Sequence, residues 1–459
     1  MKPISALLVL LVASGCAARS NPSTQPSSGG ISETSVRSHM EFLASDAMNG
    51  RGSGTRDEWI AVTYVAAQLR RLGLEPLGDA GGYVQTIEIE RAELGAPPIL
   101  TVGDRRFTHG KELAVVSMPV PKLAGPFARH AKGTPAPKGA AVLVSEPVTQ
   151  QLAADLAQAS IVLAKADGCG PASKAARDRL PRPAARTLGV PAPTPRPACL
   201  ALDPETYDLV AKSADGVNVT LEADVKSVQK SNTWNAVGRI PGSDPTLSQD
   251  AIVLGAHIDH IGVLPNAPPG TDAINNGADD DASGSVAVLE LAEALVRGPR
   301  PRRSIVFAWF GSEETGGTGS RFFADKPVVP LDRIVAQLQF EMIGRPDAKV
   351  PPHTLWLTGY ERSNLGPELA KRGAKLVQDP HPEQSFFTRS DNIQFARRGV
   401  IAHTVSSFGL HTEYHRPSDE IGKVDFAHMT DAIRSMVEPI RWLANSDFKP
   451  TWNPGGRPQ

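Results

Sequence analysis

Cysteine is scarce in this chain, with three residues in 459. That is too few for a small disulfide scaffold. An excess of charge is also missing: 48 Lys and Arg face 49 Asp and Glu, for a formal net charge of −1. Near-neutrality excludes a strongly basic nucleic-acid wrapper and a polyacidic tail protein. After the first residues no run approaches the ~18 continuous apolar residues of a membrane span. There is no P-loop, no Rossmann glycine fingerprint and no GxSxG with a convincing triad. The glycine-rich strings GSGTRD at Gly52 and GGTGSR at Gly316 fit none of these patterns, and no internal repeat is found. What remains is an ordinary globular composition, 41% hydrophobic and 21% charged. The length suits two to four domains and a large core, and 41 Gly with 40 Pro point to many loops.

The chain starts MKPISALLVLLVASGCAARS. Lys2 supplies a positive charge, and residues 4–13 form an apolar run too short to span a bilayer comfortably. Ala13-Ser14-Gly15-Cys16 resembles the lipobox of bacterial lipoproteins. The resemblance implies that 1–15 is a signal peptide and that Cys16 is lipidated, anchoring the protein in a membrane of the bacterial cell envelope. A plain cleaved signal peptide and a short uncleaved anchor are the alternatives. Ala17, not Asp, favours the outer membrane, facing the periplasm. Residues 16–30 then hold the lipidated cysteine and a flexible tether, SNPSTQPSSGG. In an oxidising compartment Cys169 and Cys199 are a candidate disulfide; two buried thiols fit equally.

Residues 32–48 read as a helix. Thr55 with Glu58 fits a capping box for the next one, which carries Trp59, Ile60, Val62, Val65, Ala66 and Leu69 and stops at Gly73. From about 90 to 224 the texture changes. Thirteen prolines fall between Pro119 and Pro197, and short apolar runs at 139–144 and 160–163 read as strands. From Asn232 apolar strands (251–254, 304–310, 334–340, 354–357, 400–405) alternate with helices (285–296, 426–443). The expectation is an α/β fold: a mixed, largely parallel sheet with helices on both faces and an inserted small β-rich domain. The main domain takes 31–90 and 230–445, the insert 91–229, and 446–459 is an irregular tail.

Chemistry-bearing residues cluster just beyond these strands, where ligands gather in open α/β sheets. His257 and Asp259 lie in GAHIDHIG. Asp279, Asp280 and Asp281 lie in NNGADDDASG, where three adjacent carboxylates repel unless a cation or a helix N-terminus compensates. Glu313 and Glu314 follow the strand SIVFAWF, so that one can bind metal while the other serves as a general base. Glu341 ends IVAQLQF, and His415 lies in EYHRPSDE. Two His with three or four carboxylates form the ligand set of a two-metal hydrolase, most plausibly with zinc.

AHIDH, GADDDASG, SEETGGTGS and YHRPSD, in this order, resemble the M28 family of zinc exopeptidases, over roughly 32–445 and most strongly from Asn232. The middle segment is similar, in position and texture, to the protease-associated insert of many relatives. The resemblance implies a zinc exopeptidase/phosphorylase-hydrolase-like fold holding two Zn²⁺. His257 and Glu341 would complete one site, Glu314 and His415 the other, with Asp280 bridging. Glu313 would be the general base for a metal-bridging water, and Asp259 would orient His257. Asp281 would follow a cis peptide bond, Tyr414 would donate to the oxyanion, and Asp391 in RSDN would support the cleft. Glu341 stands where the family more often has Asp. The implied activity is removal of N-terminal residues from peptides. A carboxypeptidase or dipeptidase on the same fold, or a non-catalytic peptide-binding envelope lipoprotein, are the alternatives. No nucleic-acid partner is expected.

Overall fold

The computed structural model describes residues 30–458 except 149, 167, 169–175, 178–179, 182, 184–185, 191–196 and 265–266. The signal-like segment, Cys16, nearly all of the tether and Cys169 lie outside the described residues. Cys199 is disulfide-bonded. Among the described residues no helix is long and apolar enough to cross a membrane.

A 10-stranded mixed sheet organises the larger part of the chain. At its centre Ser304–Phe310, Ala251–His257, Ile334–Phe340 and Ala402–Ser406 run parallel. The first three are buried at every position, as expected where helices cover both faces. Alternate residues serve alternate faces. Ile252, Leu254, Ile305, Phe307 and Trp309 pack with the helices Glu33–Leu43, Arg56–Arg71, Gly284–Val296 and Phe426–Asn445. Val253, Val306, Ala308 and Phe310 pack with Thr318–Asp325 and Asn392–Ala396 on the other side. The parallel strands all point their carboxyl ends to one edge, which places His257, Glu313, Glu314 and Glu341 there. The edge strands Leu355–Leu357 and Leu376–Gln378 complete this side.

The inserted β-sheet domain is an 8-stranded sheet with its own core around Leu100, Phe127, Leu143, Leu163 and Leu200. Its strands run from Ile99–Val102 to Asn218–Glu222. Val84–Leu94 and Val225–Ile240 form an antiparallel ribbon leading to it from the large sheet. Residues 91–94 and 225–229, read from sequence as insert, therefore remain in ribbon pairing. Arg186–Thr187, also within the insert, returns to pair with Ile89 and Glu90.

A buried polar cluster lies between three helices. His39 Nδ1 is 2.7 Å from the Tyr64 hydroxyl, and His39 Nε2 is 3.8 Å from Glu290 Oε1. Burial raises the Glu290 carboxyl to about 7. A raised carboxyl keeps its proton longer in the folded chain, so its contribution to stability is full at low pH and is lost as pH rises through 7. Glu290→Gln should therefore unfold later than wild type at pH 8, by about 1–3 kcal/mol. The difference should shrink towards pH 5, as read from denaturant midpoints at the two pH values.

Candidate metal centre

Four loops at the carboxyl edge of the sheet supply the site. His257 closes its strand and is fully enclosed; its main-chain oxygen accepts from Ser285 Oγ at 2.7 Å. Asp280 lies in the turn ahead of the helix Gly284–Val296, and the Asp280–Asp281 peptide bond is cis. Asp280 Oδ1 is 3.1 Å from His257 Nε2, and Oδ2 is 3.1 Å from His415 Nε2. His415 Nε2 is also 3.1 Å from Glu314 Oε2. Ligand atoms of His257, Asp280 and Glu314 all lie within 4.8 Å of one another. The side chains that Asp280 and Glu314 meet here are imidazoles, not Lys or Arg. Buried carboxylates facing ring nitrogens form the oxygen and nitrogen donor set that suits zinc, so these residues fit a zinc ion.

The neighbouring main chain is held from below. Asp281 accepts from the His257, Gly284 and Met342 N–H groups, tying two strand ends and a helix start to one carboxylate. Asp419 accepts from the N–H groups of Asp279 and Asp280 at 3.1 Å. His257 Nδ1 is 3.1 Å from the Asp259 main-chain oxygen and 3.7 Å from its carboxylate. That carboxylate instead accepts from the N–H groups of Glu313 and Glu314, at 2.9 and 3.3 Å, and from Ser53 Oγ at 2.5 Å. Asp259 thus links the histidine strand to the glutamate pair.

Glu313 lies next to this group without joining the triad. Burial raises its carboxyl well above the usual range. His257 opposes that rise, while Glu341, Asp391 and Glu314 add to it. Burial acts on Asp280 in the same direction, but its bonds to His257 and His415 win and hold it well below. Two carboxylates driven apart in this way are suited to different tasks.

Glu341 and Tyr414 line an adjoining pocket. The Glu341 carboxylate accepts from Ser390 Oγ and lies outside the triad; burial raises it to about 7. Tyr414 stacks on His415 with ring centres 3.8 Å apart, and burial pushes its hydroxyl up, so that it stays protonated. Asp391 accepts from Gln339 Nε2 at 3.1 Å and is raised by burial to about 7. It sits behind the strand ends, with no bond to His257, Asp280, Glu314 or His415.

Several contributors were not singled out from sequence. His260 Nδ1 is 2.8 Å from Glu314 Oε1, and its Nε2 is buried without a partner. This histidine stands in the HIDH string itself, three residues after His257. Glu58, expected as a reciprocal cap, turns inward and is completely buried. It accepts from the Gly54 and Ser312 N–H groups and from Thr233 Oγ1, at 2.7–2.8 Å, fixing the turn that leads into Glu313. A Cβ on Gly311 would come within 2.4 Å of Glu58 Oε1, so this turn requires glycine. Arg51, from the RGSGT loop, is buried and donates to the main-chain oxygens of Ile258, Asn276 and Gly277. It thereby joins the His257 and Asp280 loops.

The fold and this donor set are similar to those of M28-type zinc peptidases. Residues 235–438 match the model of "Peptidase family M28". Leucine aminopeptidase 2 of Trichophyton equinum is 29% identical over 194 residues, 40% of this chain and 36% of that protein. Leupeptin-inactivating enzyme 1 of Streptomyces exfoliatus is 30% identical over 144 residues, 31% of this chain and 30% of its own length. The matched stretch thus spans only about a third of these relatives. The solved aminopeptidase from Aneurinibacillus sp. strain AM-1 shares the fold across 91% of this chain and 95% of its own, with a TM-score of 0.56 and 19% identity.

Proposed function

We propose that the protein is a dizinc aminopeptidase, removing residues from the free N-terminus of peptides. The observation that carries this reading is the convergence of His257, Asp280 and Glu314, with His415 3.1 Å from both carboxylates and Glu313 unengaged beside them. One zinc would be held by His257, Asp280 and Glu341, the second by Asp280, Glu314 and His415. Bound zinc supplies Lewis acidity, making water a better nucleophile and the scissile carbonyl a better electrophile. Glu313 takes the proton of the attacking water on its carboxylate and returns it to the leaving amine nitrogen. The Tyr414 hydroxyl donates to the carbonyl oxygen as negative charge develops there. Asp259 positions both glutamates through their N–H groups, and His260 fixes the orientation of Glu314.

The protein is further proposed to work in the bacterial envelope, lipid-anchored through Cys16. The disulfide at Cys199 supports an oxidising compartment.

A peptide panel with free and acetylated N-termini, offered to the zinc-loaded chain, tests the activity. Stepwise N-terminal trimming that acetylation blocks is the expected result. C-terminal trimming indifferent to acetylation would replace this reading with a carboxypeptidase. Absence of turnover across the panel would replace it with a binding role.

A further inference from the structure

The pocket beside Glu341 has aromatic walls, formed by Trp356, Phe386, Phe408 and Tyr414. Phe386 stacks on Trp356 with ring centres 5.4 Å apart, and Phe408 meets Phe386 edge-on at 5.8 Å. Such walls alone describe a slot for any flat or aliphatic group. Two features make this one more selective. The indole Nε1 of Trp356 is buried and has no hydrogen-bond partner. An unpaired buried donor is costly and is rare in native interiors. The second feature is Arg389. Its guanidinium lies over the Phe386 ring at 4.9 Å, the residue is exposed at the pocket, and no ion-pair partner is found for it among the described residues. Three hydroxyls in the wall are already committed as donors: Thr404 Oγ1 donates to Asn392, Ser406 Oγ donates to the Met342 main-chain oxygen, and Ser390 Oγ donates to Glu341. Besides the Thr358 and Tyr414 hydroxyls, the wall thus offers the Trp356 N–H and the Arg389 guanidinium, a full positive charge, and its one carboxylate is the proposed metal ligand Glu341.

We infer that this pocket receives an acidic N-terminal side chain, glutamate best, with its carboxylate on Arg389 and its methylenes against the aromatic wall of Phe386, Phe408 and Tyr414. The inference rests on the aminopeptidase reading, because the pocket adjoins Glu341 and Tyr414 and so takes the side chain of the residue being released. A purely apolar side chain would bury the indole N–H and crowd the guanidinium without satisfying either. A carboxylate offers acceptors to both, and Arg matches its planar geometry. Gln, similar in shape but neutral, would keep the hydrogen bond and lose the charge.

The test uses the zinc-loaded full chain with Glu-, Gln-, Leu- and Phe-p-nitroanilide, and compares wild type with Arg389→Gln and Trp356→Phe. In wild type kcat/KM for Glu should exceed that for Gln by about tenfold, the difference between a hydrogen bond to a charged group and one to a neutral group. Arg389→Gln should collapse the Glu/Gln ratio towards one. Trp356→Phe should lower Glu and Gln together relative to Leu. Arg389 is exposed, so its replacement should leave the circular dichroism spectrum unchanged. Calorimetric binding of free L-glutamate and L-leucine supplies a readout independent of turnover. If no substrate is cleaved yet glutamate binds better than leucine in an Arg389-dependent way, the aminopeptidase reading fails and the pocket assignment stands. A wild-type preference for Leu or Phe over Glu, or a Glu/Gln ratio that Arg389→Gln does not change, overturns the inference.

Discussion

Glu313→Gln should lower kcat by about 10³–10⁴ while the protein keeps its full zinc content. The substitution is nearly isosteric and removes only the ability to take a proton. Glu313 is placed by its backbone. Its N–H donates to Asp259 Oδ1 at 2.9 Å, and the preceding Ser312, with a φ of 55°, is anchored by its N–H to Glu58. None of these bonds involves the Glu313 carboxylate, so Gln at this position should leave the turn intact. The neighbouring Glu314 faces His260 and His415 and holds its place among the ligand atoms. Metal analysis alongside steady-state kinetics separates the two glutamates. Loss of zinc together with activity in Glu313→Gln would make Glu313 a ligand and remove it as the base. An equal loss of kcat and of kcat/KM at full zinc occupancy is the signature of an interaction made only in the transition state.

Much of the site was legible because its residues follow apolar runs that can only be buried strands. SIVFAWF must be covered on both faces, so Glu313 and Glu314 had to emerge at a strand end. IVAQLQF places Glu341 by the same logic, and the strand ending at His257 pairs in parallel with both. The acidic triplet was conspicuous because adjacent carboxylates need compensation. Division of labour within the triplet was harder to read. Asp279 meets His411 Nε2 at 2.9 Å and Asp281 gathers N–H groups, while only Asp280 faces His257 and His415. Side-chain direction in so tight a turn has no periodicity from which to infer it.

The supporting residues were illegible for a different reason. Glu58 stands in a helix that looks amphipathic, at the position where a capping box puts its acid. Its actual partners, Thr233 and Ser312, are 175 and 254 residues away in sequence. Arg51 sits in the RGSGT loop, whose sequence fits a bare turn or a part of the cleft alike, and its acceptors include Asn276, 225 residues on. Such contacts are set by tertiary packing, which local propensity does not encode. The short helices Thr318–Asp325 and Asn392–Ala396 were missed as well. Each is held by the packing of Phe323 or Phe395 against the sheet, not by a strong pattern of its own.

Asp280→Ala should abolish measurable turnover and bring zinc content down from the proposed two ions per chain to fewer than one. The reason lies in its two oxygens, one 3.1 Å from His257 and the other 3.1 Å from His415. Removing this carboxylate therefore withdraws an acceptor from both halves of the site at once. Glu341→Ala offers the contrast. Its carboxylate lies outside the triad and is bonded to Ser390; because it is the proposed third ligand of the His257 site alone, its loss should cost one ion and spare the site built from Asp280, Glu314 and His415. Metal content by mass spectrometry after dialysis, measured on both variants, then counts the sites independently of activity. Two ions in wild type, one in Glu341→Ala and fewer than one in Asp280→Ala would establish a carboxylate shared by two metals. A single ion in wild type that Glu341→Ala retains would confine the centre to one site around the His257, Asp280 and Glu314 triad. Glu341 would then serve the pocket and not a metal. The fold should survive Asp280→Ala, because the turn is also fastened through Asp279 and Asp281 to Gly344, Gly284 and Met342. Unchanged circular dichroism in the zinc-poor variant would show that the lost metal reflects the lost ligand and not an unfolded chain.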